Sequence, residues 1–287
     1  MIQHTFILRR LKSIARGVLR RLIMAPLRLS GARLRAEALE QLSNAMIAET
    51  VIPGGAIKFF APTPLLQMRA ATVLVKEPDM IRWLDGLPPE AVLWDIGANV
   101  GVFTLYAAVA RRVRVLAFEP SAANFQVLAR NVSLNQLNDR VAAYCVALSG
   151  TTELGALNVA STVMGSAMSH FGKAGEMSRY WTGGGGASHG MVGITVDEFI
   201  ERFHPPFPTH LKMDVDGLEW PILQGAVKTL RDPRLRAAMV ELSLTQPAER
   251  DQAMSLIAEA GLKFVSHGEA QRGGDEQAAN HLFVRSQ

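Results

Sequence analysis

The chain has 287 residues, of which 48% are hydrophobic and 20% are charged. This composition excludes an intrinsically disordered protein. The length suffices for one large globular domain with an N-terminal extension. The formal net charge of +4 is unevenly distributed along the chain. Residues 1–35 contain nine Arg or Lys and no acid. The remaining residues contain 21 basic and 26 acidic residues, a balance of −5. That acidic balance argues against extended nucleic-acid binding by the main part of the chain.

The cysteine and histidine content argues against a disulfide-bonded protein and against a zinc protein. The single cysteine, Cys145, cannot form an intramolecular disulfide, and its apolar neighbours predict a buried side chain in a reducing compartment. The seven histidines show no His-x-x-x-His spacing, and no Cys-x-x-Cys pair is present. The sequence therefore predicts no zinc site. Magnesium or calcium held by carboxylates stays open as a less favoured alternative, and we expect no metal.

Residues 1–35 are predicted to form a basic amphipathic helix. Apolar residues recur at helical spacing over residues 5–29, with Arg and Lys toward the other side. Arginines interrupt each candidate signal core, and no run reaches the length of a membrane span. Two interpretations stay open, since such a helix can lie on an anionic membrane surface or pack on the domain with a solvated basic face. We expect a cytoplasmic protein, with peripheral membrane contact in the first case.

Residues 36–88 are predicted to form a cap of helices and a hairpin. A helix is predicted over Ala36–Thr50, and a second helix over Met80–Leu87. Between them, Val51–Ala71 contains prolines and paired glycines that favour a short hairpin or loop.

From residue 89 to residue 287, short apolar runs alternate with helical patterns. Strands are predicted at about 91–96, 113–118, 140–146, 208–214, 236–242, 262–267 and 280–285. Helices are predicted at about 100–111, 121–135, 197–204, 218–231 and 248–260. This alternation predicts an α/β domain with a doubly wound, mostly parallel seven-stranded sheet, and the last two strands are predicted to be antiparallel.

Residues 150–194 interrupt this alternation. Methionines, aromatic residues and the run Gly183–Gly186 stand where a crossover helix would be expected. The pattern predicts a long, glycine-hinged loop, which we interpret as a mobile lid inserted over the active site. A flexible linker without such a role is the alternative.

The stretch Val92–Phe103 organises the domain. Its apolar run ends on Asp95 and a Gly-x-x-x-Gly turn and then becomes a helical pattern, as in nucleotide-binding α/β folds. A second apolar run, Val113–Phe118, is followed by Glu119. An acid at the tip of the second strand can accept both hydroxyls of a ribose.

The glycine turn separates two classes of cofactor. A dinucleotide dehydrogenase would carry Gly-x-Gly-x-x-Gly, which brings a pyrophosphate close to a helix N-terminus. This chain has only Gly97 and Gly101 there, and it places Asp95 where a pyrophosphate would be repelled. A cofactor without phosphates and with a cationic amino-acid part, such as S-adenosylmethionine, fits better. A nicotinamide-binding oxidoreductase stays open as the less favoured alternative.

From about residue 75 to its end, the chain resembles the FkbM-type methyltransferases. The matching blocks, in order, are Asp95-Ile96-Gly97-Ala98-Asn99-x-Gly101, Phe118-Glu119-Pro120, Ala147-Leu148-Ser149, Thr195–Phe199, Lys212–Glu219 and Gly225-Ala226. The chain departs from the family at Asp216, where Glu is usual. The resemblance implies a class I, Rossmann-like methyltransferase fold and S-adenosylmethionine-dependent methyl transfer, commonly to a hydroxyl oxygen of a sugar or related small molecule.

The predicted cofactor site lies at the carboxyl ends of the strands, where open α/β sheets bind ligands. The predicted cofactor-binding residues are Asp95, Gly97, Ala98, Asn99, Gly101, Glu119, Pro120, Ala147 and Leu148. Glu119 is expected to accept the ribose hydroxyls. The backbone of Gly97 and Asn99 is expected to face the methionine part, with Asp95 near its ammonium. The last two residues of the set are placed to contact the adenine.

Ionisable residues cluster at the end of the fourth strand, where a base could take the proton of a sugar hydroxyl. The predicted catalytic residues are Lys212, Asp214, Asp216, Glu219 and His210. Asp214 is interpreted as a cofactor- or acceptor-side carboxylate, Asp216 or Glu219 as base or acceptor ligand, and His210 as an alternative base. The other interpretation is that the acids cap a helix and Lys212 neutralises them. Glu241, in the fifth strand, is a further pocket candidate.

These observations favour an O-methyltransferase that acts on a sugar or another hydroxylated small molecule, for example in a surface polysaccharide or a natural product. The partner is then a small-molecule or saccharide acceptor, and no nucleic acid is expected. Two alternatives stay open, a methyltransferase of the same fold that acts on protein or nucleic acid, and a binding module with a vestigial pocket.

Overall fold

The computed structural model of the chain describes residues 31–176, 186–269, 271–273 and 276–286. The predicted N-terminal basic helix lies outside these ranges except for its last five residues, as does most of the run Gly183–Gly186. The described residues 31–47 belong to one unit, and those from Ala48 onwards belong to another. In the first unit, helix α1 spans Ala32–Ala45, and none of its residues is buried. No helix in the described part is long and apolar enough to cross a bilayer.

The second unit opens with the predicted hairpin and two short helices. Strands β1 (Ile47–Ile52) and β2 (Gly55–Phe60) pair, so the hairpin takes residues that the sequence predicts as the end of a helix. Helices α2 (Pro64–Ala71) and α3 (Pro78–Asp85) follow. Each begins with proline, whose missing N–H would have no helical partner at that position.

The remaining elements alternate as the sequence predicts over most of their length. The strands are β3 (Val92–Ile96), β4 (Arg114–Phe118), β5 (Val141–Tyr144), β6 (Ala147–Leu148), β7 (Glu153–Val159), β8 (Ser169–Gly172), β9 (Ala187–Ile194), β10 (His210–Met213), β11 (Ala237–Ser243), β12 (Leu262–His267), β13 (Gln271–Gly273) and β14 (Glu276–Arg285). The helices are α4 (Val102–Tyr106), continued by a π-helical turn (Ala107–Arg111), α5 (Ala122–Leu134), α6 (Val196–Phe203), α7 (Glu219–Gln224), α8 (Val227–Arg231) and α9 (Pro247–Glu259).

The central sheet has the strand order β12-β14-β11-β10-β3-β4-β5, and β13 adds an eighth strand beside β14. Strands β5, β4, β3, β10 and β11 run parallel. Strand β14 is antiparallel to both β11 and β12. The doubly wound, mostly parallel sheet with an antiparallel terminal pair is therefore confirmed. The chain order reverses at β3, and such a reversal opens a crevice at the carboxyl ends of the strands.

Within residues 150–194, the described residues 150–176 and 186–194 are not the long loop that the sequence predicts. Strands β6, β9, β7 and β8 form a separate four-stranded sheet, so the predicted strand 140–146 ends at Tyr144. A Cβ atom on Gly155 or Gly193 would lie 2.7 or 2.4 Å from the Phe171 ring. These glycines therefore make room for an aromatic side chain. That this segment closes over the site stays a prediction.

Two further predictions are wrong in detail. The helix predicted over 218–231 is divided into α7 and α8 at Gly225, where a Cβ atom would lie 2.5 Å from the Ser149 carbonyl oxygen. Cys145, predicted to be buried, is exposed, because the chain leaves the central sheet after Tyr144. The core lies on both faces of the sheet, and its largest buried side chains include Trp94, Tyr106 and Phe118.

Candidate active site

A cavity of about 280 Å³ lies at the carboxyl ends of β3, β4, β10 and β11. Its walls come from the turn between β3 and α4, the tips of β4 and β10, strand β6, residues 166–169, and the chain around α2 and α3. The reversal of strand order at β3 thus places the cavity where the sequence predicts a ligand crevice.

Glu119 is fixed in the wall of this cavity by backbone and side-chain donors. Its side chain is 5% exposed. The backbone N–H groups of Asn99 and Ser121 donate to its two oxygens at 2.8 and 2.9 Å, and Asn124 Nδ2 donates at 3.4 Å. Burial raises the pKa of Glu119 to about 7 against the opposing effect of these donors. The carboxylate is therefore held in one orientation toward the cavity.

The glycines of the turn after β3 allow the neighbouring strand tip and a helix to pack closely against the backbone. Gly97 and Gly101 have positive φ angles of 80° and 89°. A Cβ atom on Gly97 would lie 1.8 Å from the Asp214 carbonyl oxygen, and one on Gly101 would lie 2.6 Å from Leu128 Cδ1. Gly97, Ala98 and Asn99 line the cavity, whereas Gly101 lies behind them and packs on a helix.

Asp95 lies beneath this turn, and its carboxylate interacts with Lys212 and Thr104. Its exposure is 1% and that of Lys212 is 2%. Lys212 Nζ lies 3.1 Å from Asp95 Oδ1 and donates to the Gly97 carbonyl oxygen at 3.0 Å, while Thr104 Oγ1 donates to Asp95 Oδ2 at 2.5 Å. Asp95 does not line the cavity. Because its carboxylate already pairs with a buried lysine, Asp95 is not placed to hold a ligand ammonium directly. That it orders this part of the site, through Lys212 and the Gly97 carbonyl oxygen, stays a prediction.

The acids after β10 have separate roles. Asp214 and Asp216 line the cavity, and Asp216, at a positive φ of 56°, accepts a hydrogen bond from the Met168 N–H at 2.6 Å. Glu219 instead accepts from the N–H groups of Val215 and Gly217 at 2.9 and 3.3 Å and does not line the cavity. Burial first, and the Asp214 charge second, raise the pKa of Asp216 to about 6. For Glu219, the capping interpretation is the one that fits the structure.

His210 lies away from this cavity. It is the first residue of β10, at the amino end of the strand, and it lines a different cavity of about 630 Å³ beside Trp83 and Arg236. Burial, and then the charge of Arg236, lower its pKa to about 4. The prediction of His210 as an alternative base in the cofactor site is wrong, since the strand separates it from the other candidates.

The apolar side of the cavity includes Phe118, Pro120, Ala147 and Leu148. The last two residues form β6 and pair in parallel with β9. The separate sheet, and not the central one, therefore places them against the cavity.

The cavity also contains charged residues that sequence reasoning did not identify. Arg69 comes from α2, and Lys76 and Glu77 precede α3. Lys76 Nζ lies 2.8 Å from Glu77 Oε1. No linear motif marks these residues, although the pair immediately before a proline indicates a helix start. Among the described residues, His, Cys, Asp and Glu side chains form no group of three or more that could hold a metal ion.

Residues 165–168, which we call the strap, cross the cavity on hydrogen bonds to four side chains. Asn99 Nδ2 and Asn124 Nδ2 donate to the Ser166 carbonyl oxygen at 3.0 and 2.9 Å. Asn124 Oδ1 accepts from the Gly165 N–H at 2.8 Å, and Arg69 Nε donates to the Gly165 carbonyl oxygen at 2.7 Å. The Met168 N–H donates to Asp216 at the other end. Asn124 therefore joins the strap to Glu119.

A parallel sheet with this strand order, a glycine turn after β3 and a fixed acid at the tip of β4 defines a Rossmann-like protein that binds a nucleoside cofactor. Residues 95–269 match the profile of the methyltransferase FkbM domain. The chain belongs to the FkbM methyltransferase family, as its motifs predict. S-adenosylmethionine is the cofactor of that family.

Solved structures with similar folds include several methyltransferases. The methyltransferase FkbM from Methylobacillus flagellatus KT has 13% identity and a TM-score of 0.45, and the match covers 87% of this chain and 58% of that one. P. horikoshii TYW2 in complex with MeSAdo has 13% identity and a TM-score of 0.43, with 84% and 72% covered. The precorrin-6y C5,15-methyltransferase of Geobacter metallireducens GS-15 has 12% identity and a TM-score of 0.41, with 77% and 89% covered.

One curated protein matches a short stretch. The AMB antimetabolite synthetase AmbE of Pseudomonas aeruginosa is 62% identical over 37 residues, which make up 12% of this chain and 2% of that protein. The chain thus spans a small part of this relative and 58% of the Methylobacillus structure.

Proposed function

We propose that this protein is an S-adenosylmethionine-dependent methyltransferase that methylates a hydroxyl oxygen of a sugar or a related small molecule. The observation that carries the proposal is Glu119, whose two oxygens are oriented by backbone N–H groups in a cavity at the strand tips. Membership of the FkbM family supports the methyl donor.

The residues of the cavity fit this cofactor. The Glu119 carboxylate offers acceptors to the ribose hydroxyls. Phe118 and Leu148 offer an apolar surface to the adenine, and Asp214 offers a carboxylate to the cationic amino-acid part. When bound, S-adenosylmethionine supplies an electrophilic methyl group.

The rest of the cavity suits a hydroxylated acceptor. Arg69 and Lys76 supply donors, and Asp216 supplies a carboxylate, in the wall of the same cavity. The main task of the protein is to hold the acceptor oxygen at near-attack distance and to provide a group that takes its proton. We place the reaction in the cytoplasm, in keeping with the free thiol of Cys145.

Replacement of Glu119 by Gln tests the cofactor site. Loss of charge-assisted hydrogen bonds costs about 1.5–3 kcal/mol, which weakens S-adenosylmethionine binding on the order of ten- to hundredfold. Because the pKa of Glu119 is about 7, affinity in the wild type should rise as the pH passes upward through that value, and the dependence should be lost in Glu119→Gln. Calorimetric titration measures both, with the exposed Glu153→Gln as control.

Two results would contradict the proposal. One is NADH binding by the wild type without S-adenosylmethionine binding, and the other is an unchanged affinity in Glu119→Gln. Transfer of a labelled methyl group is then measured to free sugars, nucleotide sugars, protein and RNA. Labelling of protein or RNA alone would remove the sugar acceptor and leave the cofactor assignment intact.

A further inference from the structure

Glu241 lines the cavity near the carboxyl end of β11. Within the described part of the chain, its carboxylate forms no hydrogen bond and no ion pair. A carboxylate in a partly buried site normally has donors, because its desolvation is costly. Glu241 is half-buried, so its unpaired carboxylate is open to whatever occupies the cavity.

The other acids of the site are occupied. Glu119 and Glu219 each accept hydrogen bonds from two backbone N–H groups. Asp216 accepts from the strap, and Asp214 lies 3.6 Å from Lys212 Nζ. Occupied carboxylates are weaker candidates for proton transfer, since a proton on them would break contacts that hold the site together.

Within the described part of the chain, none of the nearby cations forms an ion pair with Glu241. Lys212 pairs with Asp95, Lys76 pairs with Glu77, and Arg69 Nε donates to the strap. Glu241 faces the negative charges of Asp214, Glu219, Glu77 and Asp216, and burial together with these charges raises its pKa well above the usual range.

Asn280 provides a second unsatisfied group beside Glu241. It lies directly opposite Glu241 in the antiparallel pair of β11 and β14, where cross-strand Cβ atoms are about 4.5–5.5 Å apart. Asn280 is 2% exposed and donates through Nδ2 to Glu77 Oε2 at 3.2 Å. Its Oδ1 is buried and, among the described residues, has no donor. Because the two residues are cross-strand neighbours, a proton on Glu241 could supply this donor.

We propose that Glu241 is the base that takes the proton of the acceptor hydroxyl, an inference that rests on the proposed methyl transfer. The acceptor oxygen forms a bond to the methyl carbon while the methyl–sulfur bond breaks. The bonding electron pair stays on sulfur, which becomes a neutral thioether. The hydroxyl proton moves to the Glu241 carboxylate, and the Asn280 Oδ1 can accept a hydrogen bond from the carboxylic acid that results.

The test compares full-length Glu241→Gln and Glu241→Asp with the exposed control Glu259→Gln. The amide removes an acid whose pKa is raised in the folded protein. The folded acid holds its proton more tightly than the unfolded one, and ionisation therefore lowers stability as the pH rises. We expect Glu241→Gln to melt at a higher temperature than wild type at alkaline pH, with little difference at acidic pH, and Glu259→Gln to match wild type at both.

Two further readouts address the reaction. We expect Glu241→Gln to bind S-adenosylmethionine but to change its affinity relative to S-adenosylhomocysteine several-fold in favour of the latter, because removal of a negative charge from the cavity wall disfavours the cationic ligand. With the acceptor that the labelled panel identifies, transfer should fall on the order of a hundredfold or more, and Glu241→Asp should restore part of the rate.

Three results would overturn the assignment. They are an equal or lower melting temperature of Glu241→Gln at alkaline pH, an unchanged preference between the two ligands, and a wild-type transfer rate in Glu241→Gln. If the wild type binds neither ligand, the proposed function itself fails, and the melting comparison still decides whether Glu241 carries the unpaired charge.

Discussion

Asp95 and Lys212 form an ion pair with almost no solvent exposure. Burial alone would lower the pKa of Lys212, but the charges of Asp95 and Asp214 outweigh burial and hold that pKa above its usual value. The lysine also donates to the carbonyl oxygen of Gly97 and thereby supports the turn that lines the cavity. The pair therefore contributes to the site by positioning backbone.

Replacement of Lys212 by Met should destabilise the protein strongly. The change leaves the Asp95 carboxylate buried without its cation, which costs about 3–5 kcal/mol. Chemical denaturation measures the loss, and the double variant Lys212→Met/Asp95→Asn should recover part of it because no unpaired charge remains. A single variant as stable as wild type, or a double variant no more stable than the single one, would show that the pair is not coupled.

Residue roles could be predicted where a role follows from position at a strand tip. The position of Glu119 in the cavity wall could be predicted because it directly follows a recognisable strand. The ion pair of Asp95 could not, because its partner Lys212 is more than a hundred residues away in sequence and only the fold brings the two together. Arg69 likewise comes from a helix with no motif, and its contact with the strap is purely tertiary.

At the scale of elements, the strap depends on Asn124 in the first turn of α5. This side chain forms hydrogen bonds to the strap through both of its polar atoms and also donates to Glu119. The amide thus couples the element that covers the cavity to the acid that we assign to the cofactor.

Replacement of Asn124 by Ala should loosen the strap and weaken the cofactor site together. Lost hydrogen bonds to buried partners cost about 1–3 kcal/mol, so we expect faster amide exchange over residues 165–168 and weaker S-adenosylmethionine binding. Hydrogen exchange and calorimetry measure the two effects. The exposed Asn138→Ala, in the turn that follows the same helix, is the matched control. Exchange as slow as in wild type would contradict the role of Asn124.

The parallel strands of the central sheet could be predicted because they are compact apolar runs that alternate with helical patterns. The short, polar strand β13 could not. The sheet formed by β6 to β9 could not, because β7 and β9 mix polar residues and glycine with apolar residues without a regular alternation, a composition that is also typical of loops. The role of the glycines at 155 and 193 is visible only in the folded structure, where the Phe171 ring packs against them.

At the scale of the whole molecule, charge is divided between the N-terminal residues and the rest. The formal charge of +4 results from nine basic residues in 1–35 and a balance of −5 elsewhere. A basic segment is attracted to an anionic membrane surface, and this attraction is screened by salt. The acidic remainder is repelled by the same surface.

Removal of residues 1–35 should therefore abolish sedimentation with phosphatidylglycerol vesicles. We expect the full-length chain to sediment with these vesicles at low salt and to be released at high salt, because the attraction is electrostatic. Vesicles of phosphatidylcholine serve as the uncharged control. Equal sedimentation of the shortened chain would contradict a membrane role for the segment and favour packing on the domain.

The contact between Gly97 and the Asp214 carbonyl has a bearing on how such an enzyme changes its substrate. A side chain at position 97 would occupy the space of that carbonyl, so substitution is strongly restricted where the tips of β3 and β10 meet. New specificity, whether natural or engineered, is then expected from the other wall segments. These are α2, the residues before α3 and the strap, whose side chains can be exchanged. Directed evolution of acceptor range is best confined to those segments.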